Sequence, residues 1–171
     1  MKHLVMKAQQ KDGEAFVKLM EMNKQSMYKV AKSYLRYEED VADAMQETIL
    51  ICYEKLGDLK EPKYFKTWMI RILINKCKDI LKKNQELCLM EEFPEVEDQH
   101  VPEKNLEFEE LLQALDEKYR TILILYYVEG FNTREIGELL EMSEHTVKTS
   151  LVRARQNFAR EYQKEMAYVG R

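Results

Sequence analysis

The chain is poor in the residues that punctuate a polypeptide. It holds 5 glycines and 3 prolines in 171 residues, few for a turn-rich all-β protein. Its three cysteines (Cys52, Cys77 and Cys88) are odd in number and far apart, without a CxxC pair. The three histidines (His3, His100 and His145) are scattered. A disulfide framework and a zinc site therefore have little support, and the thiols are expected to be buried or idle in a reducing cytoplasm. No apolar run approaches the ~18 residues that span a bilayer. The N-terminus lacks the long apolar stretch of a secretory signal. Neither a glycine-rich phosphate loop nor a nucleophile elbow is present. No catalytic, cofactor-binding or metal residue is expected, and hence no enzyme.

What is there is charge in blocks and apolar residues in helical register. The net charge of −4 averages opposing segments. Residues 55–83 carry nine basic and three acidic residues, net +6. Residues 84–110 carry one basic and ten acidic, net −9, and residues 145–160 carry four basic and none acidic. Two basic ends around an acidic middle suit contact with a polyanion by the ends. Phe16, Leu19, Met20, Met27, Val30, Ala31 and Tyr34 share one helical face. Val41, Met45, Ile49, Cys52 and Leu56 mark the next helix, and Ile70, Leu73, Ile74, Cys77 and Leu81 another. Gly57 and Pro62 bracket a loop. The periodicity fades from Asn84, where acidic residues crowd around Pro94 and Pro102 as in a linker. It resumes at Leu106 and runs through Tyr126 to Gly130, a candidate C-terminal cap. The expected fold is all-α: two small helical domains, residues 1–83 and 105–171, joined by an acidic linker over 84–104.

The sharpest local signal lies between Asn132 and Phe158. Asn132 or Thr133 can cap a short helix carrying Ile136, Leu139 and Leu140. Met142 marks the inward residue of a turn, and Ser143 can cap a second helix. That helix buries Val147 and Leu151 and turns Lys148, Thr149, Val152, Arg153 and Arg155 outward. Two short helices so spaced form a helix-turn-helix, whose second helix fits the DNA major groove, or else an ordinary helical hairpin with a basic solvent face. Glu141 stands where such turns favour glycine, and a left-handed residue there costs about 1–2 kcal/mol.

Two further surfaces accompany it. Residues 63–71, Lys-Tyr-Phe-Lys-Thr-Trp-Met-Ile-Arg, interleave rings with cations, a pattern that can stack exposed bases while holding their backbone. Phe65 and Trp68, three apart, can equally pack inward. Asp40, Asp43 and Glu47 lie along one helical side with Gln46 beside them. Without a histidine nearby they do not suggest metal or general-base chemistry; they face either a basic partner or solvent.

Taken in order, these features resemble bacterial sigma factors of the extracytoplasmic-function (ECF) group. Residues 40–48, Asp-Val-Ala-Asp-Ala-Met-Gln-Glu-Thr, are similar to that family's core-polymerase-binding helix. Residues 65–72 followed by Asn75 and Asp79 are similar to its promoter-melting and −10-reading segment. Residues 117–130, then Thr146-Val147-Lys148-Thr149 and Arg153-Ala154-Arg155, are similar to its −35-reading domain. The resemblance implies two domains, sigma region 2 and sigma region 4, and a factor that directs core RNA polymerase to the promoters of a stress or signal regulon and assists opening. It gives Asp43, Gln46 and Glu47 to the clamp coiled coil of the polymerase β′ subunit. It gives Leu59, Lys60, Lys63, Tyr64, Arg71 and Asn75 to the −10 element, and Lys148, Thr149, Val152, Arg153 and Arg155 to the −35 element. The implied partners are core RNA polymerase, through β′ and β, promoter DNA, and an anti-sigma factor of a kind often membrane-bound. Ser150 departs from the family pattern, standing where an arginine is frequent. A stand-alone helix-turn-helix regulator is one rival reading, and it leaves the aromatic-basic segment and the carboxylate helix unexplained; a purely structural helical adaptor, which would support no promoter-dependent transcription, is another.

Overall fold

A computed structural model describes residues 1–90 and 106–169, and among these no strand is found. The chain divides into two units, Met1–Lys83 and Asn84–Arg171.

The first unit opens with α1 (Lys2–Gln9), which packs on α2 (Gly13–Tyr34). The turn between them is tight. Lys11 takes a left-handed conformation with φ 64°, and the Asp12 carboxylate accepts from Ala15 N at 3.0 Å, capping α2. The expected α2 stripe is the buried one: Phe16, Leu19, Met20, Met27, Val30, Ala31 and Tyr34 all leave solvent. Next comes α3 (Glu38–Lys55), with Glu38, Glu39 and Asp40 in its first turn, where the helix dipole favours anions. Burial pushes the Glu38 carboxyl up, but hydrogen bonds from Lys32 and Tyr28 outweigh this and hold it below the usual range. Two 3-10 turns, Leu56–Asp58 and Pro62–Tyr64, form the loop foreseen between Gly57 and Pro62. They lead into α4 (Phe65–Met90), which buries Phe65, Met69, Ile70, Leu73, Ile74 and Cys77. Cys52 and Cys77 are free and buried, and burial pushes the Cys52 thiol up to about 12. Cys52 therefore stays a protonated, inert thiol at neutral pH.

The sequence predicts that the helical register ends at Lys83, but α4 continues to Met90. Residues 84–90 hold good helix formers and neither glycine nor proline, so nothing in their chemistry stops the helix. The remainder of the expected linker, 91–104, lies outside the described residues.

The second unit contains α5 (Leu106–Gln113), α6 (Glu117–Leu123), α7 (Thr133–Leu140) and α8 (Glu144–Val169). α8 is its spine, with α5, α6 and α7 packed against it. Beyond α6 the backbone widens into a π-turn over Ile124–Val128, where Glu129 N reaches Ile124 O at 2.9 Å. Gly130 then adopts φ +74°, the conformation expected of a helix-ending glycine.

Candidate nucleic-acid and polymerase interfaces

The helix-turn-helix is closed by local chemistry. The Asn132 side chain accepts from Glu135 N and the Glu135 carboxylate accepts from Asn132 N, both at 2.9 Å, a complete capping box on α7. Gly137 is buried in α7, and a Cβ built there would stand 2.7 Å from the Met142 carbonyl oxygen. This close approach lets Met142 N donate to Gly137 O at 2.9 Å. Glu141 sits at φ 57°, ψ 44°, the left-handed turn position foreseen for it. Ser143 Oγ accepts from Thr146 N at 3.1 Å and caps α8. Thr133 donates to the Glu144 carboxylate at 2.9 Å, tying the start of α7 to the start of α8. Val147, Leu151 and Ala154 form the inward face of α8.

The outward face carries Lys148, Thr149, Val152 (50% exposed), Arg153 and Arg155. These do not present themselves alike. The Lys148 ammonium pairs with Glu144 at 2.8 Å, and Thr149 donates to the His145 carbonyl. The hydrogen bond with Lys148, then that with Thr133, holds the Glu144 carboxyl below its ordinary value. Arg153 makes no ion pair among the described residues. Arg155 is engaged: its Nε donates to the Tyr127 hydroxyl at 2.5 Å, and its guanidinium lies 5.9 and 5.6 Å from the Tyr126 and Tyr127 ring centres. Ser150 is 4% exposed, so this position belongs to the packed face of α8 and offers nothing to a phosphate. Sequence reasoning missed Gly137 and the tyrosine pair; an aromatic doublet next to a helix-ending glycine was the visible sign of the latter.

In the first unit, the aromatic-basic segment separates into two roles. Phe65 is fully buried, with Trp68 half-buried beside it, ring centres 6.1 Å apart. Tyr64 is 52% exposed, with the Lys63 ammonium 4.7 Å from its ring centre. Lys60 is exposed and Leu59 half-buried on the same loop. Arg71 and Asn75, one turn apart on α4, are exposed. The loop and the start of α4 therefore offer a ring, an apolar side chain and several donors to a ligand.

On α3, Asp43, Gln46 and Glu47 are exposed, and Leu50 and Tyr53 extend the surface at 62% and 65% exposure. Glu47 pairs with Lys76 of α4 at 3.2 Å, and Lys76 also reaches Asp79 at 3.6 Å. The hydrogen bond with Glu47 is the main force raising the Lys76 pKa. Among the described residues no group of three His, Cys, Asp or Glu side chains is placed to hold a metal ion. No described helix is long and apolar enough to cross a membrane.

Comparison with known proteins places these surfaces within two family descriptions. Residues 19–86 match Sigma-70 region 2 and residues 105–158 match Sigma-70, region 4. The chain is 29% identical to the RNA polymerase sigma factor SigV of Bacillus subtilis (strain 168), over 87% of this chain and 92% of SigV. It is 29% identical to the ECF RNA polymerase sigma factor SigW of the same organism, over 85% and 87%. Among solved structures, the sigma factor RpoE in complex with the anti-sigma factor NepR from Bartonella quintana superposes with TM-score 0.76 at 18% identity, covering 86% of this chain and 96% of that one. CnrH in complex with the cytosolic domain of CnrY gives TM-score 0.69 at 23% identity, covering 95% and 97%. At those identities the two structures speak to the fold.

Proposed function

The chain belongs to the ECF group of bacterial RNA polymerase sigma factors, and from that premise we propose how its surfaces divide the work of promoter recognition. It is a transcription initiation factor that directs RNA polymerase; RNA synthesis belongs to the core enzyme. The exposed carboxylates of α3, Asp43 and Glu47, with Gln46, dock on the β′ clamp coiled coil, and the β subunit adds a second contact. The Leu59–Lys60 and Lys63–Tyr64 stretches, with Arg71 and Asn75, take the −10 strand. Lys148, Thr149, Val152 and Arg153 meet the −35 element in the major groove. Arg155, held against Tyr126 and Tyr127, sits at the edge of that surface. Pulling a base from its stack costs a few kcal/mol, which stacking at about 1–3 kcal/mol per base and backbone contacts offset. Joining the two readers raises the effective concentration of one once the other is bound. The protein acts in the cytoplasm with its polymerase. That RpoE and CnrH were solved with protein partners supports an anti-sigma factor for this chain as well.

The observation that carries this reading is positional. The exposed α3 face and the aromatic-basic loop fall inside the region 2 match, and the outward face of α8 inside the region 4 match. Run-off transcription from genomic fragments, with core polymerase and with or without this protein, tests it. Discrete transcripts that need both are expected. Tight sequence-specific DNA binding by the free chain, with no core-dependent transcript, would establish the stand-alone regulator instead.

A further inference from the structure

The loop read above as the −10 receiver is tied to a helix that lies wholly before residue 19, where the region 2 match begins. The Gln9 carboxamide, at the last position of α1, donates to two main-chain carbonyls: Leu56 O at 3.1 Å and Leu59 O at 2.7 Å. The first of these is unremarkable on its own, since carbonyls at a helix end need donors, and Leu56 O also accepts from Leu59 N at 3.3 Å. The second is different. Leu59 is past the first 3-10 turn, in extended backbone with φ −71° and ψ 103°, so its carbonyl belongs to the loop. One NH2 group thus bridges carbonyls three residues apart and fixes the path of the chain into Lys60. Gln9 can hold that position because α1 is itself fixed. Val5 and Ala8 are buried against the domain, α1 packs on α2 and on both 3-10 turns, and Gln10 N and Asp12 N each return to Lys7 O.

We propose that Gln9 is a positioning residue for −10 recognition, its carboxamide holding the loop over residues 59–64 in the conformation that receives the base. This rests on the reading of that loop as the −10 receiver. A glutamine amide meets the chemistry without burying a charge. The two carbonyls need two N–H donors on one uncharged group; methionine matches the length without a donor, and glutamate presents only acceptors at neutral pH.

The test uses full-length Gln9→Met and Gln9→Glu proteins with core polymerase on a promoter recovered by run-off, together with its single-base −10 variants. Two neutral hydrogen bonds set the scale, about a tenfold loss of discrimination among −10 bases. Coelution with core polymerase and dependence on the −35 element should be unchanged, and amide exchange over residues 57–63 should speed up in the free protein. Tyr64→Ala is run alongside. If Tyr64→Ala blurs −10 preference while both Gln9 variants keep it, Gln9 does not position the loop. If Tyr64→Ala and Lys60→Ala leave −10 preference intact, the reading of the loop itself has failed. A Gln9→Glu protein that melts like the parent and loses activity equally on every −10 variant assigns the amide a purely structural role and overturns the proposal.

Discussion

Gly137 and Glu141 sit four residues apart and bear on the same turn in opposite senses. Gly137 has no room for a side chain, because the Met142 carbonyl lies where its Cβ would be. Gly137→Ala must push the turn backbone away and should cost about 1–3 kcal/mol, as overpacking of a tight site does. Glu141 is left-handed and bears the opposite fault, a side chain where glycine would fit. Relief of about 1–2 kcal/mol there is partly cancelled by glycine's entropy of about 0.5–1 kcal/mol, so Glu141→Gly should stabilise by roughly 0.5–1 kcal/mol. Amide exchange of α7 and α8 in the two full-length variants measures both, and equal signs would refute the account. Only one of these sites was legible in the sequence. A glutamate in the glycine place of a helix-turn-helix shows in the string itself. A glycine inside a helical pattern reads as a simple loss of helix propensity until the folded chain brings a carbonyl to it.

Elements were legible where side-chain period decides them. The buried stripe of α2, most of that of α4, the Asn132 cap of α7 and the Ser143 cap of α8 follow from spacing and cap chemistry that a linear sequence displays; on α3 the buried line runs through Val41, Ala44, Thr48 and Cys52, leaving the expected Met45 and Ile49 half-buried. The π-turn was not, because it is a change of hydrogen-bond partner with no change of residue type, and it is what places Tyr126 and Tyr127 beside Arg155. Nor was the Glu47–Lys76 pair, which joins residues 29 apart across two helices. That pair governs how the docking helix should be tested. Glu47→Lys would set a second cation against Lys76 and disturb the domain, so Asp43→Lys combined with Glu47→Gln is the informative variant. It should abolish coelution with core polymerase while helical circular dichroism stays unchanged; retained coelution would remove that face from the interface. On α8 the two outward cations should separate. Arg153, with no ion-pair partner among the described residues, is expected to read a base, so Arg153→Ala should cost about 1–3 kcal/mol and relax preference at one −35 position. Lys148, shared with Glu144, is expected to hold phosphate, and Lys148→Ala should weaken all −35 sequences alike. A −35 permutation series on both variants decides, and an unaltered preference in Arg153→Ala would assign that residue to the backbone.

For the whole molecule the decisive quantity is the order of its charges. The net −9 of residues 84–110 stands between a +6 block and a +4 block. Nonspecific affinity for duplex DNA comes from cations that neutralise phosphates and release counterions. We propose that this acidic segment competes with DNA for the same cations, most strongly at low salt, where exposed charges act over longer distances. Free in solution, the chain should therefore hold promoter duplex weakly. Bound to core polymerase, it should hold the same duplex specifically, because the enzyme can hold the acidic segment away from the DNA-binding cations. Deleting residues 91–98 removes five carboxylates, Glu91, Glu92, Glu95, Glu97 and Asp98. This should strengthen DNA binding by the free protein and steepen its salt dependence. Gel-shift titrations of the parent and deleted chains at two salt concentrations measure both effects. If the deletion leaves the free affinity unchanged at low salt, the acidic segment does not compete for the DNA-binding cations and the proposal fails.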